Sequence, residues 1–172
     1  PNSSFVMGYA TEESVSDSGV FYRNGSIGTN LTMNARAFDI DYAYSGTLRV
    51  YTLPAGWSYN DIVGFAWDTD TTADIFAFFI NGSVLSDASQ ADLTADIAFT
   101  VVATYTIPSG FNHSDIIGAA MDTGGTATAI FFRNRSFIRY ASETAFTTVG
   151  GVQAFTLPAG FSTNDVIGTD YH

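Results

Sequence analysis

The stretch YTLPAGWSYNDIVGFAWD, residues 51–68, decides the fold, because the chain contains it three times. The second copy is YTIPSGFNHSDIIGAAMD at 105–122, and the third is FTLPAGFSTNDVIGTD at 155–170. The prolines of the three copies are 54 and 50 residues apart, at Pro54, Pro108 and Pro158. Agreement at this many positions indicates tandem copies of one structural unit.

A second motif repeats together with the first. It reads VFYRNGS at 20–26, AFFINGS at 77–83 and IFFRNRS at 130–136. The sequence therefore predicts a single β-repeat domain over residues 1–172, in which three full units are followed by the first strand of a fourth. The predicted units are 4–60, 61–114 and 115–164, with the partial fourth unit at 165–172.

Each unit predicts four antiparallel strands. Short apolar runs with Gly and Ala at the centre are typical of an inner strand with close neighbours, and the aromatic and β-branched runs that follow predict a second strand. Asn24-Gly25 and Asn81-Gly82 predict two-residue hairpin turns of type I′. Arg135 stands in place of that glycine in the third unit, so a looser turn or a turn of another type is expected there.

Four strands per unit of this length are the pattern of a β-propeller blade. The run D-[IV]-[IV]-G-x-A, followed by an aromatic strand and Asn-Gly, resembles FG-GAP-type propeller repeats, which occur in integrin-like propellers and in some fungal propeller lectins. Residues 61–66 with 78–82, and 115–120 with 131–134, carry the resemblance. The acidic calcium loop of that family is replaced here by LPAG[WF], so calcium is not implied. The same run is also similar to one hairpin of SPRY-type β-sandwiches.

The number of units leaves the architecture open within the all-β class. Closed propellers use about four to eight blades, so three units predict an open propeller-like array, two chains that share one ring, or a piece of a longer repeat protein. Threefold closure, as in a β-trefoil or β-prism, and a β-sandwich are the alternatives.

The start of the fourth unit is a surplus strand, because Val166 to Asp170 duplicates the strand that Val6 to Glu12 already supplies. A surplus strand can pair with another chain, so we expect a homo-oligomer or a head-to-tail assembly. Coverage of an edge within the same subunit is an equally good reading.

Composition excludes several classes of function. The chain has 172 residues, a hydrophobic content of 46% and a net charge of −11, and this combination excludes intrinsic disorder. Its 17 acidic residues face six basic ones, all arginine, which argues against nucleic-acid partners. No apolar run reaches about 18 residues, so membrane insertion is not expected. Cysteine is absent, which removes disulfides and thiolate nucleophiles.

The residues offer no evident catalytic set. Only two histidines are present, His113 and the terminal His172, and they are poorly placed for a metal pair. The recurring aspartates are expected to accept N–H bonds in the preceding turn, at Asp61, Asp115 and Asp165. We therefore expect no enzymatic activity, no cofactor and no metal.

The pattern Asn-x-Ser/Thr occurs more often than composition explains. Chance predicts about two such acceptor sites, and six are present. The candidates for glycosylation are Asn2, Asn24, Asn30, Asn81, Asn112 and Asn134. Glycosylation of a secreted or surface protein and ordinary turn chemistry explain the excess equally well.

Aromatic rings stack on the apolar faces of sugars, and polar side chains bond their hydroxyl groups. The candidate ligand-binding residues are Trp57, Tyr59, Trp67, Arg133, Arg135, Arg139 and Tyr140. The sequence as a whole favours a non-enzymatic, extracellular or virion-surface binding module with glycans as the expected ligands. The alternative is a self-assembling structural subunit of a surface filament, fibre or viral appendage.

Overall fold

The computed structural model describes residues 6–11, 18–29, 31–36, 39–44, 48–67, 75–87, 96–121, 127–140, 146–147, 149–166 and 169. The first eight strands in this part are β1 (Val6–Thr11), β2 (Ser18–Tyr22), β3 (Ser26–Thr29), β4 (Leu31–Arg36), β5 (Asp39–Tyr44), β6 (Leu48–Thr52), β7 (Ile62–Trp67) and β8 (Ile75–Phe79). They are followed by β9 (Ser83–Asp87), β10 (Ile97–Ala98), β11 (Thr100–Thr104), β12 (Ile116–Met121), β13 (Thr128–Phe132), β14 (Ser136–Tyr140) and β15 (Val149–Ala154). Single turns of 3-10 helix precede β7 and β12.

The strands form one four-stranded antiparallel sheet for each predicted unit, and these sheets are called blades below. Blade 1 has the order β1-β2-β3-β6, blade 2 has β7-β8-β9-β11, and blade 3 has β12-β13-β14-β15. The short strand β10 adds to the edge of blade 1 in parallel with β6, and β4 pairs with β5 in a separate two-stranded sheet.

Glycine lets the inner strands of successive blades approach closely. Strand β1 packs beside β7, and β7 packs beside β12. A Cβ on Gly64 of β7 would overlap the backbone nitrogen of Ala119 in β12, and a Cβ on Gly118 would overlap the side chain of Thr169. Thr169 therefore lies against Gly118 of β12 much as Ala119 of β12 lies against Gly64 of β7.

The second strand of each blade is apolar on both faces, as the clusters around β8 show. Every residue of β8 is buried. Ile75, Ala77 and Phe79 pack with Phe21 and other residues of blade 1, whereas the alternating residues pack with blade 3. We call the face of a blade that carries the equivalents of Ala77 and Phe79 its front face, and the opposite face its back face; in blade 2 the front face packs on blade 1 and the back face is covered by blade 3.

Face-to-face stacking of separate four-stranded sheets about their inner strands is a propeller-like arrangement. Of the predicted architectures, the propeller-like array is confirmed. A trefoil, a prism or a sandwich does not describe the stacking, because each blade forms its own sheet and blade 2 is covered on both faces. The described strands do not close into a barrel.

The turn type predicted for the hairpins is wrong. Type I′ requires positive φ at both central residues, whereas the left-handed positions in the first two hairpins are only Gly25 (φ 83°) and Gly82 (φ 86°). Gly25 N–H donates to Tyr22 O over 3.0 Å, so the connection has three residues and ends in a left-handed bulge. Arg135 adopts the same conformation with φ 68°, so the third turn is neither looser nor different.

The close approach at Gly64 leads to a test of the stacking. We expect Gly64→Ala to lower the free energy of unfolding by about 1–3 kcal/mol, because the new methyl group must push β7 away from β12. Gly151→Ala is the control, since a Cβ there meets no atom within 4 Å. Chemical unfolding followed by tyrosine and tryptophan fluorescence measures both variants, and equal stabilities would contradict the stacking.

Candidate functional site

The hairpins and the interblade connections share one end of the blades, called the hairpin face below. In each connection, the residue after Pro-x-Gly donates its N–H to the proline carbonyl over 3.2 Å, and the glycine has a φ of about 90°. The hairpin also accepts a bond from the start of the connection, as when Tyr51 N–H donates to Gly25 O over 2.7 Å. This repeated geometry fixes where the next side chain points.

That next side chain is aromatic in all three connections. Trp57 packs edge-on against Phe79 of blade 2, with ring centroids 4.7 Å apart. Phe111 packs against the equivalent ring Phe132 of blade 3 at 4.6 Å, in a tilted arrangement with 59° between the ring planes. Phe161, the third member, is 61% exposed.

The back face of blade 3 is the other part of this site. In blade 2 the back face includes Phe78 and Tyr105, which are buried by blade 3. Their equivalents in blade 3 are Phe131, which is buried with 9% of its surface exposed, and Phe155, which is half-buried. These two rings lie 5.8 Å apart and form a small apolar cluster of their own. We call Phe131, Phe155, Phe161 and the nearby Thr156 the open surface.

Thr156 belongs to the open surface because the equivalent threonines of blades 1 and 2, Thr52 and Thr106, each form a backbone hydrogen bond with the following blade. The connection between the third and fourth strands of blade 2 reaches back to Thr52 of blade 1, where Phe99 N–H donates to Thr52 O over 3.1 Å. The same connection of blade 3 reaches back to Thr106, whose N–H donates to Phe146 O over 3.0 Å. We call these connections straps. Thr156 is the equivalent position on blade 3, and it is exposed.

Blade 1 has the complementary features. Val20 and Tyr22 on its front face are half-buried, whereas Ala77 and Phe79 at the same positions of blade 2 are fully buried by blade 1. The connection that corresponds to the straps is residues 30–47, which contains β4 and β5. An interface between two blades joins the back face of one to the front face of the next. Blade 1 therefore carries one side of such an interface, and the open surface of blade 3 is the other side.

Several of the proposed ligand-binding residues make contacts within the fold. Trp57 packs against Phe79 as described above, and Tyr59 donates its hydroxyl to Tyr51 O over 3.1 Å. Tyr140 is 1% exposed and donates its hydroxyl to Thr106 O over 2.9 Å. The side chain of Trp67 lies outside the described residues.

The arginines of blade 3 are divided between two places. Arg133 and Arg135 are exposed on the hairpin face, where Arg133 Nη1 bonds Asn164 Oδ1 and Arg133 O accepts from Thr163 Oγ1 over 3.0 Å. Arg139 is half-buried within β14. The structure thus places Arg133 and Arg135 on the hairpin face of blade 3, where Arg133 bonds the connection that also carries Phe161, and Trp57 and Tyr59 belong to the connection after blade 1.

The asparagines of the three hairpins act as turn residues. Asn24 Oδ1 accepts the Ser26 N–H over 3.1 Å, and Asn81 and Asn134 accept from Ser83 and Ser136 in the same way. All three are exposed, as is Asn112. Asn2 and Asn30 lie outside the described residues. Glycosylation of these sites stays a prediction.

The recurring aspartates stabilise the start of each inner strand. Asp165 Oδ2 accepts from the Ser162 hydroxyl and the Ser162 N–H, and these two bonds lower the pKa of the Asp165 carboxyl. Asp61 O and Asp115 O each accept an N–H over 2.8 Å, from Ile80 and Arg133. Among the described residues, no group of three acidic or histidine side chains could hold a metal ion.

Buried tyrosine hydroxyls are a feature that the sequence analysis missed. Tyr51 donates to Tyr22 O over 2.6 Å and Tyr105 to Phe79 O over 2.5 Å, so each ties the connection to a hairpin. Burial raises the pKa of Tyr51, Tyr105 and Tyr140, which keeps these hydroxyls protonated as donors. The signal was the repeated tyrosine before Thr-x-Pro.

Comparisons with known proteins concern the fold. No protein-family profile matches the sequence, and no curated protein matches it. A 2S albumin seed protein from Dolichos is similar in structure, with a TM-score of 0.55 and 14% identity over 88% of this chain and 69% of that chain. U3-55K and the RRP9 WD40 repeats align with TM-scores of 0.46 and 0.45, each at 12% identity over 88% of this chain. The chain spans 39% of the length of either. No helix in the described part of the chain is long and apolar enough to cross a membrane.

The left-handed Arg135 leads to a prediction about stability. We expect Arg135→Gly to raise the free energy of unfolding by about 1 kcal/mol, because a side chain in this conformation brings its Cβ close to a carbonyl oxygen. Gly82→Arg is the reciprocal control and should lower stability, since a Cβ there would lie 3.3 Å from His113 Nε2. Thermal unfolding of both variants measures the effect, and a less stable Arg135→Gly protein would contradict it.

Proposed function

We propose that this chain is a non-enzymatic structural subunit that assembles head to tail, with the open surface of blade 3 binding the front face of blade 1 in a second copy. The observation that carries the proposal is the exposure of Phe161, whose two equivalents are packed against the following blade. An aromatic ring left in water on a blade that is apolar on both faces favours association.

The two internal interfaces supply the template for the contact. In the proposed assembly, Phe161 packs on Tyr22 of the second copy, as Trp57 packs on Phe79. The cluster around Phe131 and Phe155 meets Val20, the equivalent of Ala77. The Thr156 N–H donates to a carbonyl of the connection 30–47 of the second copy, which acts as a strap, as the Thr106 N–H donates to Phe146 O. Every contact has a counterpart already present within the chain.

A charge placed on the open surface tests the proposal. We expect the unchanged chain to show an apparent mass that rises above 18.4 kDa with concentration. Phe161→Asp should remain at the mass of one chain, because a carboxylate cannot be buried unpaired against Tyr22. Light scattering across a concentration series measures both proteins.

Ile80→Asp is the matched control for this experiment. Ile80 is an exposed apolar residue on the hairpin face of blade 2, and the same change there should leave association intact. Circular dichroism shows whether either variant has lost its strands. A single chain mass for the unchanged protein at every concentration would overturn the proposal.

Glycan binding is the second candidate, in keeping with the resemblance to lectin-like FG-GAP-type repeats. The observation that favours it is that exposed Arg133 bonds exposed Asn164, in the connection that also carries the exposed ring of Phe161, with exposed Arg135 in the same hairpin as Arg133. An aromatic ring beside hydrogen-bonding side chains is suited to a sugar. The ligand class proposed is a neutral or acidic glycan, and the proposed location is the extracellular space or a virion surface, with no nucleic-acid partner.

A glycan array separates this candidate from assembly. If the grouping binds sugars, the unchanged chain should bind a defined set of glycans and Arg135→Gly should lose them, while its association stays unchanged. Arg23→Ala removes an arginine from the hairpin face of blade 1 and should keep the binding. Absence of any bound glycan would contradict the candidate.

A further inference from the structure

In head-to-tail association, the segment from Val166 to Thr169 of one copy and β1 of the next copy would both occupy the inner-strand position of the blade that follows blade 3. We propose that the segment from Val166 to Thr169 of one copy replaces β1 of the next copy and pairs with its β2. The inference rests on the proposed association and adds how the two copies are joined. The fourth blade is then composite, with its first strand from one chain and its remaining strands from the other.

The position of Thr169 is the first observation. Thr169 lies against Gly118 of β12 as Ala119 lies against Gly64 of β7. Thr169 therefore already holds the place that the equivalent residue in the inner strand of a following blade would take. A second copy that docked with its own β1 in place would meet this segment, so one of the two strands must give way.

The register of the exchanged strand follows from the internal repeat. Ile62 pairs with Phe79 in blade 2, and Phe65 pairs with Ala77. The equivalent pairs between the segment and β2 are Val166 with Tyr22 and Thr169 with Val20. In the chain itself Val6 and Tyr9 occupy these places opposite β2, so the exchange replaces one antiparallel ladder by another of the same geometry.

The aspartate at the start of the segment is the second observation. In blades 2 and 3 the residue after the second strand donates its N–H to the carbonyl of that aspartate, as Ile80 does to Asp61 and Arg133 to Asp115, both over 2.8 Å. Asp165 is the aspartate of the fourth unit. The residue after β2 is Arg23, so its N–H is the predicted donor to Asp165 O of the other copy.

The connection before the segment is already fixed to blade 3. Thr163 Oγ1 donates to Arg133 O over 3.0 Å, and the Ser162 N–H donates to Asp165 Oδ2 over 2.8 Å. Displacing the segment would strain these bonds, whereas displacing β1 leaves the hairpin of β2 and β3 in place. The geometry thus favours loss of β1 from its own blade.

Introduced cysteines test the exchange directly, because the chain contains none. The variant Val20→Cys with Thr169→Cys should form disulfides between chains under mild oxidation, since paired strands bring Cα atoms within bonding range. The variant Tyr9→Cys with Val20→Cys is kept reduced until it is oxidised: it should form its disulfide within one chain when it is oxidised as the monomer, and should fail to form it when it is oxidised after assembly. Non-reducing electrophoresis separates the products.

Two controls make the outcomes distinct. Ala119→Cys with Ile130→Cys joins an existing pair of blade 3 and should close within one chain at any concentration. Light scattering on the same samples reports association. If the protein associates, forms no bond between positions 20 and 169, and still forms the bond between positions 9 and 20 when it is oxidised in the assembled state, the exchange is overturned and the proposed function stands. A protein that remains monomeric would overturn both.

Discussion

The structure depends on one constraint: the second strand of each blade is apolar on both of its faces. Side chains alternate across a strand, so a sheet with two apolar faces must be covered twice. Strand β8 shows the consequence, because its odd-numbered residues pack with blade 1 and its even-numbered residues pack with blade 3. No blade of this kind removes its own apolar surface from water, and stacking of further blades is what stabilises it.

The connections between blades fix how each blade packs on the next. The Pro-x-Gly turn directs an aromatic ring onto the next blade, the tyrosine hydroxyl ties the connection to the hairpin, and the strap of the next blade reaches back to the threonine. Glycine in the inner strands allows the backbones to approach more closely than a side chain would permit. Stacking is therefore specific, and the same contacts recur from blade 1 to blade 2 and from blade 2 to blade 3.

The repeat also separates positions with a structural use from positions that can carry a feature specific to one unit. Positions that recur in every unit, such as Asp61 and Tyr51, are used for the turn and the hairpin. Positions that differ between units are where individual features lie, and Arg135 and Phe161 are the clearest examples. Arg135 adopts the left-handed conformation that glycine adopts at the equivalent position of the other two hairpins. Phe161 is exposed, whereas the aromatic rings at the equivalent positions of the other two connections pack against the next blade.

Sequence alone determined the class, the tandem copies and the four strands of each unit, because the alternation of side chains and the positions of Gly and Pro are local properties. It did not determine the hairpin type, since Asn-Gly suits both a two-residue turn and a turn followed by a bulge, and strand pairing decides between them. It also could not separate Trp57 from Phe161, which occupy the same place in the repeat. Only the tertiary structure shows that one is covered by the next blade and the other is not, because burial depends on which blade follows rather than on the motif itself.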